Sequence, residues 1–239
     1  MAAPAATAAE SGPGTTQRFE LSLDTRTVAK VAPGRGTPVA GRPGPSVSDS
    51  GTRIAFASTH DLLRDGSNGD GNLEVFLLDT STGELSQVTS SKGGEGSVAP
   101  QISAAGTRIV FASDRDLLGN GSNVDDEVQL FLYDTLTRAI AQLTHAEGGL
   151  ASFASAVELS LDDAGVRVAF ASDRDLLEQG RNADENLEIF LLDTTTRGLE
   201  QLTETSGGKG CFAPAFVGKD RLRWSSDRGL AVAKKTESR

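Results

Sequence analysis

The stretch Gly-Thr-Arg-Ile-Val-Phe-Ala-Ser-Asp-Arg-Asp-Leu-Leu that opens at Gly106 has counterparts opening at Gly51 and Gly165, so the copies recur after 55 and 59 residues. Each copy runs on to an Asp-Thr-x-Thr, at Asp79, Asp134 and Asp193, and then to a Gln-Val-Thr or Gln-Leu-Thr. Self-similarity at such a period marks an array of one supersecondary unit that cannot bury its apolar face alone. The period and the residue types predict four short strands per copy. In the second copy these are strand A, Val98–Ser103, strand B, Thr107–Ser113, strand C, Val128–Asp134, and strand D, Ala139–Thr144.

The B strands (Ile54-Ala-Phe56, Ile109-Val-Phe111, Val168-Ala-Phe170) and the C strands (Val75–Leu78, Leu130–Tyr133, Ile189–Leu192) are apolar on both faces. Such strands need cover above and below. A blade held between two neighbouring blades has it, whereas a sandwich strand would carry a polar residue at every second position. The expected fold is therefore all-β, a β-propeller of four-stranded antiparallel blades.

Both ends of the chain read as half-blades. Phe19–Thr27 repeats the ending of strand C with Asp24-Thr25-x-Thr27, and Arg221–Arg228 repeats strand B, with Trp224 where the other copies have Phe. Pairing the C-terminal A and B strands with the N-terminal C and D strands completes a fourth blade and removes exposed sheet edges. Four blades with one split between the termini are expected, in a propeller domain spanning 18–235 after a flexible tail, 1–17. The alternative is an excised part of a larger propeller, in which Leu230–Lys234 would be a further strand.

Composition narrows the function classes. A net charge of −10 opposes binding to nucleic acid, which needs clustered Lys and Arg. No apolar run approaches the roughly 20 residues that span a bilayer, so membrane insertion is not expected. The N-terminal Met1–Glu10 lacks the basic and apolar regions of a signal peptide. One Trp and one Tyr, with ten Phe mostly at repeat core positions, leave few stacking platforms. Cys211 is single, which rules out an internal disulfide, and it falls in or beside a strand A, where packing is its expected role.

The pattern Ser103-x-x-Gly106-Thr-Arg-Ile-Val-Phe-Ala-Ser-Asp-Arg115, followed by Leu-Phe-Leu-Tyr-Asp134-Thr and Gln142-Leu-Thr144, resembles the WD-repeat-like propeller repeats of TolB-type bacterial proteins. The resemblance spans about 18–234. It implies a bacterial, periplasmic or secreted propeller that serves as a protein-interaction platform. The chain departs from that repeat by roughly ten additional residues between strands B and C, beyond the usual hairpin length.

Those inserts hold the polar constellation that repeats: Asn68, Asp70, Asn72 and Glu74 in the first, Asn123, Asp125 and Glu127 in the second, Asn182, Asp184, Asn186 and Glu188 in the third. Oxygen ligands at alternate positions among glycines suit Ca²⁺, which takes six to eight oxygens in loose geometry. The same side chains also cap their own backbone in long turns, and the spacing is not that of an EF-hand; both readings stand at this point. In a propeller the B–C and D–A loops leave on one face, which places the acidic inserts beside the Gly-Gly loops Ser91–Gly94, Ala146–Gly149 and Thr205–Gly208.

Ser113-Asp114-Arg115-Asp116, Ser172–Asp175 and Ser226-Asp227-Arg228 are expected to be structural ties at the end of strand B, and Asp-Thr-x-Thr a turn cap. His60 and His145 occupy non-equivalent positions with no second ligand at zinc spacing. Nucleophile elbows and nucleotide-binding loops are missing from the sequence. The functional expectation is a non-enzymatic scaffold that binds a protein or peptide through the acidic B–C face, with Ca²⁺ as the candidate ion. The alternative is the accessory propeller of a hydrolase whose catalytic part lies outside this chain.

Overall fold

The computed structural model describes residues 17–31, 44–145, 158–178, 180 and 182–228. Among them sixteen strands form four antiparallel four-stranded sheets. Blade I is β3 (Ser46–Val47), β4 (Arg53–Ser58), β5 (Glu74–Asp79) and β6 (Leu85–Gln87). Blade II is β7 (Ser97–Ile102), β8 (Arg108–Ser113), β9 (Gln129–Asp134) and β10 (Ala139–Gln142). Blade III is β11 (Leu159–Leu161), β12 (Arg167–Ser172), β13 (Glu188–Asp193) and β14 (Leu199–Gln201).

Blade IV is split. Its order is β15 (Cys211–Phe216), β16 (Arg221–Ser226), β1 (Gln17–Ser22) and β2 (Val28–Val31). The seam between the chain's ends is a six-residue antiparallel ladder in which Phe19 faces Trp224 and Leu21 faces Leu222. Strand bounds in blade II fall within one or two residues of those expected. Gln17, assigned to the tail by sequence, is the first residue of β1. The rest of the tail, the loop Ala146–Gly149 and the segment Leu230–Lys234 lie outside the described residues.

Blades II, III and IV each stack a face rich in aromatic residues on the Ala/Val/Leu face of the blade before. Ile109, Phe111, Phe131 and Tyr133 of blade II pack on Ala55 and Val75 of blade I. Val168, Phe170, Phe190 and Leu192 of blade III pack on Val110, Ala112 and Leu130 of blade II. Phe19, Leu21, Leu222 and Trp224 of blade IV pack on Ala169, Ala171 and Ile189 of blade III. In every blade one aromatic from strand B stacks on one from strand C, with ring centroids 5.7–6.2 Å apart. Successive A strands touch along the inner edge, where Ser46 Oγ accepts the Ile102 N–H at 3.0 Å and Ser160 Oγ the Phe216 N–H at 3.2 Å.

The Gly-Thr-Arg of the repeat stitches blades together. Arg53 Nη1 donates to Gly106 O at 2.8 Å and Thr135 Oγ1 at 2.6 Å. Arg108 repeats this on Gly165 O and Thr194 Oγ1 at 3.1 and 3.3 Å. Gly106 and Gly165 have φ of 71° and 73°, and a Cβ would meet the incoming Arg side chain at about 3 Å, so both the turn and the approach call for glycine.

The stack's two outer faces differ. On blade I the Phe face carries the fully buried Phe76 beside Ile54, Phe56 and Leu78, which are half-buried, and Val47, 52 % exposed, whereas Ile109 and Phe111 at equivalent positions are fully buried. On blade IV the opposite face presents Arg18, Glu20, Arg223 and Ser225, with Glu20 paired to Arg221 and Arg223. The three apolar clusters among the described residues join I to II, II to III and III to IV.

Candidate functional site: the rim of B–C loops

The B–C and D–A loops share one face. Just before β5, Leu73 bridges Gly96 of the next blade: Leu73 N–H donates to Glu95 O at 3.0 Å and Ser97 N–H to Leu73 O at 2.6 Å. Leu187 and Gly210 repeat this between blades III and IV. A Cβ on Gly96 would lie 2.1 Å from Leu73 O, and on Gly210 2.2 Å from Leu187 O, so only glycine admits the crossing.

Most of the expected ligands are engaged by the protein itself. The Glu74 carboxylate is fully buried and accepts from Thr89 Oγ1, from the Ser91 N–H at 2.6 Å and from Ser91 Oγ at 2.7 Å. Glu188 accepts from Thr203 Oγ1, from the Thr205 N–H at 2.5 Å and from Thr205 Oγ1 at 2.6 Å. Burial pushes the Glu188 carboxyl above its ordinary value, against the pull of these donors. In blade II this place belongs to Gln129, whose Oε1 accepts from Thr144 Oγ1 at 2.8 Å; Glu127 stands where blade I has Asn72.

Asp70 and Asp184 each accept a D–A loop amide, from Gly93 at 2.8 Å and Gly207 at 2.7 Å. Asn72 Nδ2 donates to Ser91 Oγ and Gly93 O, both at 3.1 Å, and Asn186 does the same to Thr205 Oγ1 at 3.1 Å and Gly207 O at 3.5 Å. Asn68, Asn123 and Asn182 are buried and donate through Nδ2 to loop carbonyls on either side, those of Ser58 and Asn72 for the first. Asp125 is exposed. Among the described residues no three His, Cys, Asp or Glu side chains form a group that could hold a metal. The repeated inserts are thus loops latched to their neighbours, and turn chemistry accounts for most of their polar residues.

The end of strand B is tied down as expected. Asp114 accepts the Glu95 and Gly96 N–H groups at 2.9 and 3.0 Å, and Asp227 accepts those of Lys209 and Gly210, both at 3.0 Å. Burial raises the Asp227 carboxyl, but the two amides outweigh it and hold the group below its ordinary value. In Asp-Thr-x-Thr, the aspartate caps the turn amides and the first threonine hydroxyl donates to Gly51, Gly106 or Gly165 at 2.9–3.1 Å.

Between the loops lie two clefts that sequence reasoning missed. One, of about 420 Å³, lies between blades II and III and is lined by Thr144, His145, Arg174, Asp175, Leu176 and Arg197 among others. The other, of about 530 Å³, lies at the equivalent place between blades I and II, with Ser91, Lys92, Arg115, Asp116, Leu117 and Asn123. Each cleft sets two cations against two carboxylates, Lys92 and Arg115 with Asp116 and Asp126, Arg174 and Arg197 with Asp175 and Glu178, and Arg115 is ion-paired to Asp126 at 2.9 Å. The signal in sequence was the repeated Arg-Asp-Leu, but which loop opposes it depends on blade packing. Cys211 is buried against blade III and its thiol is pushed up by burial to about 11, so it is not poised as a nucleophile.

No protein-family profile and no curated sequence matches the chain. Solved structures do, and their common class is the β-propeller. They include a TolB-like protein from Agrobacterium tumefaciens, 14 % identical, TM-score 0.50, covering 88 % of this chain and 97 % of that one. TolB from Acinetobacter baumannii is 19 % identical, TM-score 0.45, covering 88 % and 49 %. An oligogalacturonate lyase from Vibrio parahaemolyticus is 16 % identical, TM-score 0.48, covering 89 % and 52 %. The chain spans about half the length of the latter two. Likeness at such identity bears on the fold alone.

Proposed function

We propose that this chain is a non-enzymatic binding scaffold that takes a protein or peptide partner on the face carrying the B–C and D–A loops. The observation that carries the reading is the rim itself: loops cross-latched at Leu73–Gly96 and Leu187–Gly210, with two repeat-equivalent clefts between them. Rigidly held loops recognise partners at small cost in ordering. An acidic outer rim over clefts of mixed charge suits a segment rich in basic residues that also carries a carboxylate or carbonyl for Lys92 or Arg197. Calcium ordering of the loops and a periplasmic or secreted setting belong to this proposal. The same rim would serve an accessory propeller of a hydrolase.

A displayed peptide library selected on the wild-type chain, and in parallel on Asp125→Lys/Glu185→Lys, tests it. Both positions are exposed, so the fold tolerates the change. Enrichment of basic peptides on the wild type that vanishes with charge reversal is expected. Equal enrichment on both chains, or none on either, removes the reading.

A further inference from the structure

The B–C loops hold buried side-chain oxygens that no protein group satisfies, and they recur at equivalent positions: Asp61 Oδ1 and Asn68 Oδ1 in blade I, Asp116 Oδ1 in blade II, Asp175 Oδ1 and Asn182 Oδ1 in blade III. Asn68 and Asn182 are 3 % and 2 % exposed. The second oxygen of each aspartate accepts an amide five residues on, from Gly66 at 2.9 Å, Gly121 at 2.8 Å and Gly180 at 2.5 Å. Each asparagine directs Nδ2 at carbonyls of the loop's two ends, Ser58 and Asn72 for Asn68, Ser172, Arg174 and Asn186 for Asn182. That fixes the amide plane and leaves Oδ1 on the side away from those carbonyls, without a partner. A buried carboxylate oxygen without a donor is costly, and a repeat that keeps it in three blades needs a partner for it.

We propose that each B–C loop binds one hard cation, Ca²⁺, through these oxygens: Asp61 with Asn68 in blade I, Asp116 in blade II, and Asp175 with Asn182 in blade III, completed by loop carbonyls and water. The proposal rests on the calcium part of the functional reading and assigns its ligands anew, since Glu74, Glu188, Asp70 and Asp184 are already satisfied by loop amides and hydroxyls. Atoms closed to a water-sized sphere still admit an ion, because Ca–O distances of about 2.3–2.6 Å are shorter than a water contact. A mixed set of carboxylate, amide and carbonyl oxygens fits calcium's loose geometry better than the octahedron of Mg²⁺. One carboxylate per site sets the dissociation constant on the order of 10⁻⁴–10⁻³ M, the range of extracellular modules.

The test is titration of the chelator-treated full chain with calcium chloride alone, read by calorimetry and thermal unfolding. Wild type is expected to bind and to rise in Tm with calcium concentration. Asp61→Asn/Asp116→Asn/Asp175→Asn keeps an acceptor for each glycine amide; it should match the metal-free Tm of wild type and lose affinity at least tenfold. Should the triple variant fail to fold, Asp116→Asn alone is expected to remove one of three equivalents. Glu74→Gln/Glu188→Gln is expected to keep the calcium response. The proposal is overturned if wild type shows neither heat nor Tm shift up to about 10 mM calcium, or if the aspartate variants respond as wild type does. It is overturned equally if the response is lost in the glutamate variant instead. Because no peptide is present, failure here leaves partner binding intact, and failure of the peptide selection leaves the cation sites intact.

Discussion

Glu188 shows how one residue's environment decides its worth. Its carboxylate is sealed under the D–A loop by two threonines, and Gln129 fills the same latch in blade II without charge. Glu188→Gln is therefore expected to change stability by no more than about 1 kcal/mol at neutral pH, while Glu188→Ala, which strands the Thr205 amide, should cost about 2 kcal/mol or more by denaturant unfolding. Since burial raises the folded carboxyl above the usual 4.5, the native state takes its proton first as pH falls. Wild type should gain stability between that raised value and 4.5, and the Gln variant should not. Phe111 and Phe56 are a second contrast of the same kind. Phe111→Ala should cost about 3–5 kcal/mol because blade I covers the ring, and Phe56→Ala about 1–2 kcal/mol because that ring, stacked on Phe76, is only half-buried.

At the scale of elements, hairpin turns and loop crossings rest on different physics. Asp79 is held below its ordinary value by the Ser81 hydroxyl, Asp134 by the Thr137 amide and Asp193 by the Thr196 amide. A lowered carboxyl adds stability above 3.8 that is lost as pH falls through the folded value. The C–D turns should therefore loosen in acid, seen as lower amide-exchange protection factors at Thr82, Thr137 and Thr196, and Asn in place of each aspartate should flatten that dependence. The crossing at Gly96 depends on space instead. Gly96→Ala drives a Cβ into Leu73 O and is expected to cost roughly 3 kcal/mol or more, measured as a drop in Tm.

For the whole molecule the split blade is the decisive device, because Phe19 and Leu21 from one end complete a cluster built by Leu222 and Trp224 from the other. A chain that starts at residue 44 should be markedly less stable, and a synthetic peptide of residues 17–31 added in trans should restore its Tm in a concentration-dependent way. If the peptide leaves the Tm unchanged, the seam is not the strand exchange seen here. The outer faces of the stack are chemically unlike, one apolar at Phe56 and one charged at Arg223, so the blades are held chiefly by the three interfaces between consecutive sheets.

The blades, their strands and the split seam were legible in the amino-acid order, because two-sided apolar strands at a fixed period leave few ways to be covered. The Asp-Thr-x-Thr caps and the Ser-Asp-Arg ties were legible as well, since both act within a few residues or on an adjacent strand. The loops were only half legible. Asn, Asp and Glu at alternate positions look alike as ligands, and nothing local tells which oxygen a neighbouring loop has already claimed. The folding back of strand D and its loop onto strand C decided that Glu74 and Glu188 become buried latches, and packing of one blade on the next that Arg115 and Arg174 line clefts, because these neighbours come from residues some twenty positions away or more that only the tertiary fold brings near.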